Sequence, residues 1–210
     1  MELYHKIETL YNRDIGGSKK LIEGDFRNDT VKFLKDAVWQ FTEKIDGTNI
    51  RIMWDGHKVT YGGRTERASI PAHLMNKLIE MFGGDEAEQV FEQLFGEREA
   101  TLFGEGYGVK IQGVGSQYRS DASFILFDVM VGKNYMPRVA VEGIAKSLGV
   151  EIVPIIFEGT LDEGVAYIKT NPMSTIGTAP MEGLVGRPKV ELRDRNGERI
   201  IVKIKAKDFA

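Results

Sequence analysis

Residues 38–63 read VWQFTEKIDGTNIRIMWDGHKVTYGG. From Val38 to Ile45 apolar and polar residues alternate, the period of a half-buried strand. IRIMW at 50–54 and KVTYG at 58–62 then flank Asp55-Gly56. Two such runs around Asp-Gly signal a hairpin, because glycine supplies the positive φ that a tight turn needs. A strand followed by a hairpin points to an antiparallel sheet. The odd member is Lys44, a charged amine among alternating apolar positions, followed at once by Asp46-Gly47, a pair that ends strands more often than it extends them.

The neighbouring segments extend this pattern. After Pro71, AHLMNKLIEMF has helical spacing and stops at Gly83-Gly84, and EAEQVFEQLF after Asp85 repeats it before Gly96. TLFGEGY (101–107) and SFILFDVMV (123–131) read as strands, 139–148 as a helix, EIVPIIF (151–157) as a further strand and 161–169 as an amphipathic helix. The chain closes with MEGLVGRPKVEL, a turn at Asp194-Arg195-Asn196-Gly197, and RIIVKIKAK, which together form a second hairpin. Strands early and late with helices between and beside them predict an α+β fold, an antiparallel sheet with flanking helices, rather than a doubly wound alternation.

At 210 residues the chain fits one ordinary domain, or one with a small subdomain. Its 28 Lys and Arg against 31 Asp and Glu leave a net charge of -3, so any nucleic-acid partner must be held by a local patch rather than a global basic field. With no cysteine, disulfides, thiolate metal sites and cysteine nucleophiles are excluded. MELYHKIETLYNRD lacks the basic start and apolar run of a signal peptide, and no segment has the apolar length to cross a bilayer; the expectation is a cytoplasmic protein without a membrane partner. His5, His57 and His73 have no acidic or serine partner at useful spacing and read as structural or surface residues. GGSKK at 16–20 lacks the spacing of a phosphate loop.

Chemistry concentrates in an ordered series: Lys44-Ile45-Asp46-Gly47-Thr48-Asn49, then Arg64 in GGRTER, Glu105 in LFGEGYG, Phe127-Asp128 in ILFDV, Glu182-Gly183 in EGLVGRP, and Lys203 and Lys205 in VKIK. A lysine amine attacks phosphorus only in its neutral form, which desolvation or nearby positive charge favours. Lys203 and Lys205 stand two apart and so share one strand face, where two ammonium groups can hold a phosphate as charge develops on it. On an extended strand Lys44 and Asp46 also share a face, and Asp46 works against a neutral amine. Glu105 and Glu182 lie in apolar runs, so partial burial and a partner are expected for both. Alternation places Ile125 and Phe127 on one side of their strand and Phe124, Leu126 and Asp128 on the other, leaving Phe127 to line either a cleft or a core.

The series resembles the covalent nucleotidyltransferase superfamily of ATP-dependent RNA and DNA ligases and mRNA capping enzymes. From about Tyr11 to Lys207 it is most similar to the nick-sealing RNA ligases, the group of a phage RNA ligase and the kinetoplastid editing ligases. Asn49 carries that choice, since capping enzymes and most ATP-dependent DNA ligases resemble K-x-D-G-x-R there. The resemblance implies an antiparallel nucleotidyltransferase domain, the ATP-grasp-like ligase catalytic fold, spanning 1–210 as a single domain with no C-terminal accessory or OB domain.

By the same resemblance Lys44, Asp46, Asn49, Arg64, Lys203 and Lys205 are catalytic, and Glu43, Ile45, Glu105, Phe127 and Glu182 join Lys44, Asn49, Arg64, Lys203 and Lys205 around ATP, the AMP donor. Glu105 is assigned to a ribose hydroxyl, Phe127 to the purine face and Arg64 to the phosphate junction of an adenylylated end. Glu182 and Asn49 are assigned to Mg2+ or Mn2+, ions that keep waters and need few carboxylates. The implied partner is RNA, as nicked duplex or single-stranded ends, extending to DNA-containing duplexes. Arg67, Lys110, Gln112, Gln117, Tyr118 and Arg119 are candidates for a local strand-binding groove; without an accessory domain, a separate RNA-binding partner is a further expectation. The alternatives are a DNA ligase or capping-type core, and a nucleic-acid binding module that keeps the fold without the chemistry.

Overall fold

The computed structural model describes residues 3–210 of the chain. In order, it comprises β1 (Glu8–Thr9), β2 (Tyr11–Arg13), β3 (Leu21–Phe26), α1 (Asp29–Phe33), β4 (Trp39–Lys44), β5 (Thr48–Trp54), β6 (Val59–Gly63), α2 (Ala72–Phe82) and α3 (Asp85–Phe95). There follow β7 (Ala100–Gly108), α4 (Gly115–Tyr118), β8 (Ala122–Val131), β9 (Asn134–Tyr135), α5 (Arg138–Leu148), β10 (Glu151–Ile152), β11 (Ile155–Gly159), α6 (Leu161–Lys169), β12 (Gly183–Pro188) and β13 (Val202–Lys205). The α+β expectation holds. Most strand pairs are antiparallel; among the described residues, β1–β13 and β10–β8 pair in parallel.

Two compact units interleave in sequence. The first contains Tyr4 and Asp46–Val153, the second His5–Ile45 and Pro154–Ala210. In the first unit the sheet order is β10-β8-β7-β5-β6. One face, carrying Ile50, Ile52, Trp54, Leu102, Phe124 and Leu126, packs with apolar residues of α2, α3 and α5. The helices form as their patterning predicts: Leu74, Leu78 and Phe82 lie four apart on α2, and Phe91 and Phe95 repeat that step on α3.

In the second unit the sheet order is β1-β13-β12-β4-β11, with the separate β2–β3 hairpin beside it in the same unit. Its core joins Trp39 and Phe41 of β4, Leu184 of β12 and Val202 and Ile204 of β13 to Leu161, Val165 and Ile168 of α6. Thr160 caps α6 in a reciprocal box with Glu163. Residues 16–20 fall in the β2–β3 connection.

EIVPIIF does not form one strand. Proline lacks the N–H that a continuous ladder would use, and the run divides there: Glu151–Ile152 pairs with β8 in the first unit, Ile155–Gly159 with β4 in the second. Among the described residues no helix is long and apolar enough to cross a membrane.

Candidate active site

In the second unit, Lys44 on β4, Gly183 on β12 and Lys205 on β13 form one row across three adjacent strands. Directly paired residues present their side chains on the same face. Both lysines therefore project beside a residue that has no side chain. Glu182, at the entry to β12, bridges them: Lys44 Nζ donates to Oε2 at 2.6 Å and Lys205 Nζ pairs with Oε1 at 2.8 Å. All three are largely shielded, with side-chain exposures of 23, 20 and 16% for Lys44, Lys205 and Glu182. The next row aligns Thr42, Val185 and Lys203, so Lys203 shares the face as its two-residue spacing predicts. β13 lies between β1 and β12, which makes it an interior strand of its sheet.

Gly183 is required by this arrangement. A Cβ there would stand 2.2 Å from the Ile204 carbonyl oxygen. Gly183→Ala is expected to force β12 from β13, lower stability by about 1–3 kcal/mol and separate Lys205 from Glu182. Urea unfolding checks it: an unchanged midpoint would mean that the strands absorb the methyl group.

Glu43 occupies the opposite face of β4. It is 1% exposed; Oε1 accepts from Ser174 Oγ at 2.5 Å, and Oε2 accepts from the Thr175 N–H at 2.9 Å and from Thr175 Oγ1 at 2.6 Å. Its carboxylate is thus an internal anchor, on the face of β4 opposite the Lys44 amine. Ile45, 2% exposed, is likewise packed into the protein interior.

β4 ends at Lys44, so Asp46 does not continue its strand face; the premise of two charges side by side on one extended strand is corrected. Asp46 belongs to the first unit, where its N–H donates to Tyr118 Oη at 3.3 Å, and Gln112 Nε2 donates to the Gly47 carbonyl at 3.1 Å. A Cβ on Gly47 would lie 2.4 Å from the Gly106 carbonyl oxygen, which explains the glycine. The 109–121 segment is therefore a buttress for the Asp46-Gly47 turn. Lys110 and Gln112 both hold left-handed backbone conformations, φ 59° and 56°, a cost that close packing can sustain.

Arg119 is engaged within this unit rather than left free for a strand-binding groove. It pairs with Asp121 at 2.6 Å and with Glu151 at 3.0 Å, and donates to Tyr107 Oη at 3.1 Å. Tyr107 in turn donates to Glu151. Burial first, then that bond, pushes the Tyr107 hydroxyl up to about 12, while the hydrogen bond from Arg119 holds the Asp121 carboxyl below its ordinary range. Tyr118 is buried, and Lys110 and Gln117 are exposed.

Of the other series residues in the first unit, Asn49, Glu105, Phe127 and Asp128 lie on its sheet, away from the helix-packed face. Asn49 pairs with Glu105, and Glu105 with Ile125, in one row. Asn49 Oδ1 is buried without a hydrogen-bond partner among the described residues, an acceptor of the kind that a cation or its bound water fills. Phe127 sits at a bulge: Phe103 pairs with Asp128 but Gly104 with Leu126, so Phe127 is the extra residue. The bulge shifts the alternation. Phe124 and Leu126 face the helices, as does Val129 beyond it, whereas Asp128, fully buried, accepts from Tyr4 Oη at 2.9 Å. Phe127 is half-buried, 5.0 Å from the Tyr4 ring in an edge-on contact; the simple alternation read from sequence is corrected. Arg64 is exposed just past β6, as is Arg67.

Among the described residues no cluster of three or more His, Asp or Glu could hold a metal ion alone. Each by itself, the Glu182 carboxylate and the unpartnered Asn49 oxygen are of the kind met by an ion that retains most of its waters, the habit of magnesium and manganese. Sequence reading missed Ser174, Thr175 and Arg51, whose polar contacts join segments remote in sequence.

A family model described as RNA ligase matches residues 37–205. No curated protein matches the chain. Among solved structures it is similar to Naegleria gruberi RNA ligase with PPi, TM-score 0.66 at 18% identity, covering 100% of this chain and 63% of that one. A point variant of that ligase with ATP and Mn gives TM-score 0.65 at 18% identity, covering 86% and 52%. Another, with AMP and Mn, gives 0.65 at 18% identity, covering 97% and 62%. At such identities the likeness concerns the fold, and the chain spans 52 to 63% of the length of these structures.

Proposed function

The chain belongs to the RNA ligase family, and from that premise we propose that it is an ATP-dependent RNA ligase that works through a lysyl-AMP intermediate. The observation that carries this reading is the row of Lys44 and Lys205 across Gly183, joined by Glu182. A strand-borne amine beside a second fixed ammonium group is suited to an α-phosphate: one attacks, the other stabilises the charge that develops. Shielding from water strengthens both interactions.

In the first step the Lys44 amine attacks the α-phosphorus of ATP; the N–P bond forms, the bond to the β-phosphate oxygen breaks, and pyrophosphate leaves. Lys203 and Lys205 hold the phosphate oxygens. Glu182 holds the Lys44 ammonium in place beforehand and must release it as the ammonium gives up a proton to solvent and becomes the neutral amine. In the second step a 5′-phosphate oxygen of RNA attacks the adenylate phosphorus; the O–P bond forms, the N–P bond to Lys44 breaks, and the freed amine takes up a proton. In the third a 3′-hydroxyl attacks the 5′-phosphorus, the phosphodiester forms and AMP leaves. A hydrated Mg2+ or Mn2+ would supply charge neutralisation on the phosphates when bound; Glu182 in the second unit and Asn49 in the first are the oxygen donors assigned to it. Glu105 takes the ribose, Phe127 the purine face and Arg64 the phosphate junction. Asp46, through its buttressed turn, sets where the lysine-bearing strand ends.

The test is incubation with labelled ATP, GTP or NAD, followed by nicked duplexes carrying RNA or DNA on either side. Acid-stable label from ATP and sealing of nicks that contain RNA are expected. Label from GTP alone would assign the chain to the capping type, sealing of all-DNA nicks alone to the DNA ligases, and no label at all to a binding module.

A further inference from the structure

Arg51 lies midway along β5 and is 1% exposed, although it carries a full positive charge. Burying a guanidinium costs several kcal/mol unless it is paired, and an apolar residue of similar size commonly serves stability as well or better. Its retention calls for a reason beyond packing, and its contacts supply one. Nε donates to the Gly63 carbonyl at 2.9 Å, and Nη1 donates to Glu66 Oε1 at 3.1 Å. These acceptors bracket Arg64, one immediately before it and one two residues after.

The surroundings are shaped to permit this fork. A Cβ on Gly62 would stand 2.9 Å from Arg51 Nη2, so glycine leaves the guanidinium its place. Beyond it the chain closes a turn, the Ala68 N–H donating to the Thr65 carbonyl at 3.1 Å. Arg64 is thus an exposed side chain on a backbone held from below by a buried one. A long side chain meets a phosphate productively only if its base is fixed, because small misplacements at a reacting centre cost large factors in rate.

We infer that Arg51 is a positioning residue for Arg64, acting through the Gly63 carbonyl and the Glu66 carboxylate. The inference rests on the proposed role of Arg64 at the RNA phosphate junction. Lysine cannot replace Arg51, since a point charge does not span two acceptors in one plane. Glu66, whose side chain is 74% exposed, is the part of the device that can be removed without disturbing the core.

The experiment compares Glu66→Ala, Glu66→Gln, Arg51→Lys, Arg64→Ala and the double variant Arg64→Ala/Glu66→Ala in the full chain. It measures sealing of a pre-adenylylated RNA nick, the KM for ATP and thermal unfolding. Glu66→Ala is expected to lower the sealing rate about 10-fold with an unchanged unfolding temperature, and to move the KM for ATP no further than Arg64→Ala does. Glu66→Gln, which keeps an oxygen acceptor, should retain most of the rate, and Arg51→Lys should lose it. In the Arg64→Ala background Glu66→Ala should cost nothing further, because a residue acting through another has no effect once that one is gone. Multiplying losses in the double variant, or a silent Glu66→Ala beside an impaired Arg64→Ala, would overturn the inference and leave the ligase reading standing. A silent Arg64→Ala would overturn both this inference and the role proposed for Arg64.

Discussion

Lys44→Ala is expected to abolish the transfer of AMP from ATP to the protein, by about 10^3-fold or more, the scale on which removal of a covalent nucleophile acts. The amine lies at the end of β4, held at 2.6 Å by Glu182, which also holds Lys205 at 2.8 Å. Lys205, whose amine meets the other oxygen of the same carboxylate, is assigned to the phosphate oxygens rather than to attack. It rises from β13, two strands from β4 across Gly183, so the two amines approach a bound phosphate from different sides. The assay is a denaturing gel after incubation with ATP labelled at the α-phosphate. Sealing of an RNA end supplied already adenylylated should survive far better in the same variant, because its chemistry no longer needs the amine. Retained label on the protein would refute the assignment of Lys44 as nucleophile; equal loss of both activities would show that Lys44 mainly maintains the site.

Glu43→Ala should unfold more easily by about 3–5 kcal/mol, a large share of the stability of an ordinary domain. The lost carboxylate accepts from the Ser174 hydroxyl and from the backbone and hydroxyl of Thr175. Each donor stranded without a partner costs about 1–3 kcal/mol where water cannot reach it. Ser174 is buried, while Thr175 reaches the surface and recovers part of its loss. The consequence reaches the chemistry, because the same anchor ties the strand of Lys44 to the segment that leads into Glu182. That segment is closed by the Ser174 N–H donating to the Ala179 carbonyl at 2.8 Å. Glu43→Gln keeps the shape and one acceptor oxygen and should lose less. Urea unfolding monitored by tryptophan fluorescence measures both. A Glu43→Ala midpoint within error of the parent, with a raised KM for ATP, would instead mean that the carboxylate binds nucleotide.

Much of the site was legible because its geometry is local. Lys203 and Lys205 share a face by strand period alone, and the hairpin around Asp55-Gly56 forms from its own turn chemistry. The helices over α2, α3, α5 and α6 follow the apolar spacing seen in sequence. Phe127 was not legible, since a single extra residue in one strand reverses the face of everything beyond it, and a bulge is defined by the partner strand. EIVPIIF was misread for a related reason: one apolar run serves two sheets, and only the partners available to each half reveal the break at Pro154. The loop VKIQGVGSQYR has the composition of a nucleic-acid surface, yet Gln112 and Tyr118 hold the Asp46-Gly47 turn.

The sequence by itself determined the class of fold and most of its strands and helices from residue 38 onward, because strand and helix periods and turn residues are properties of short segments. Tertiary structure decided which residues of the series stand side by side. Lys44 and Glu182 meet because β12 pairs with β4 in one register, and Glu43 faces inward because that same strand packs its other face. Arg51 gains its meaning only when β6 brings Gly63 and Glu66 to it. Contacts between residues distant in the chain depend on pairing and burial, which no local pattern encodes.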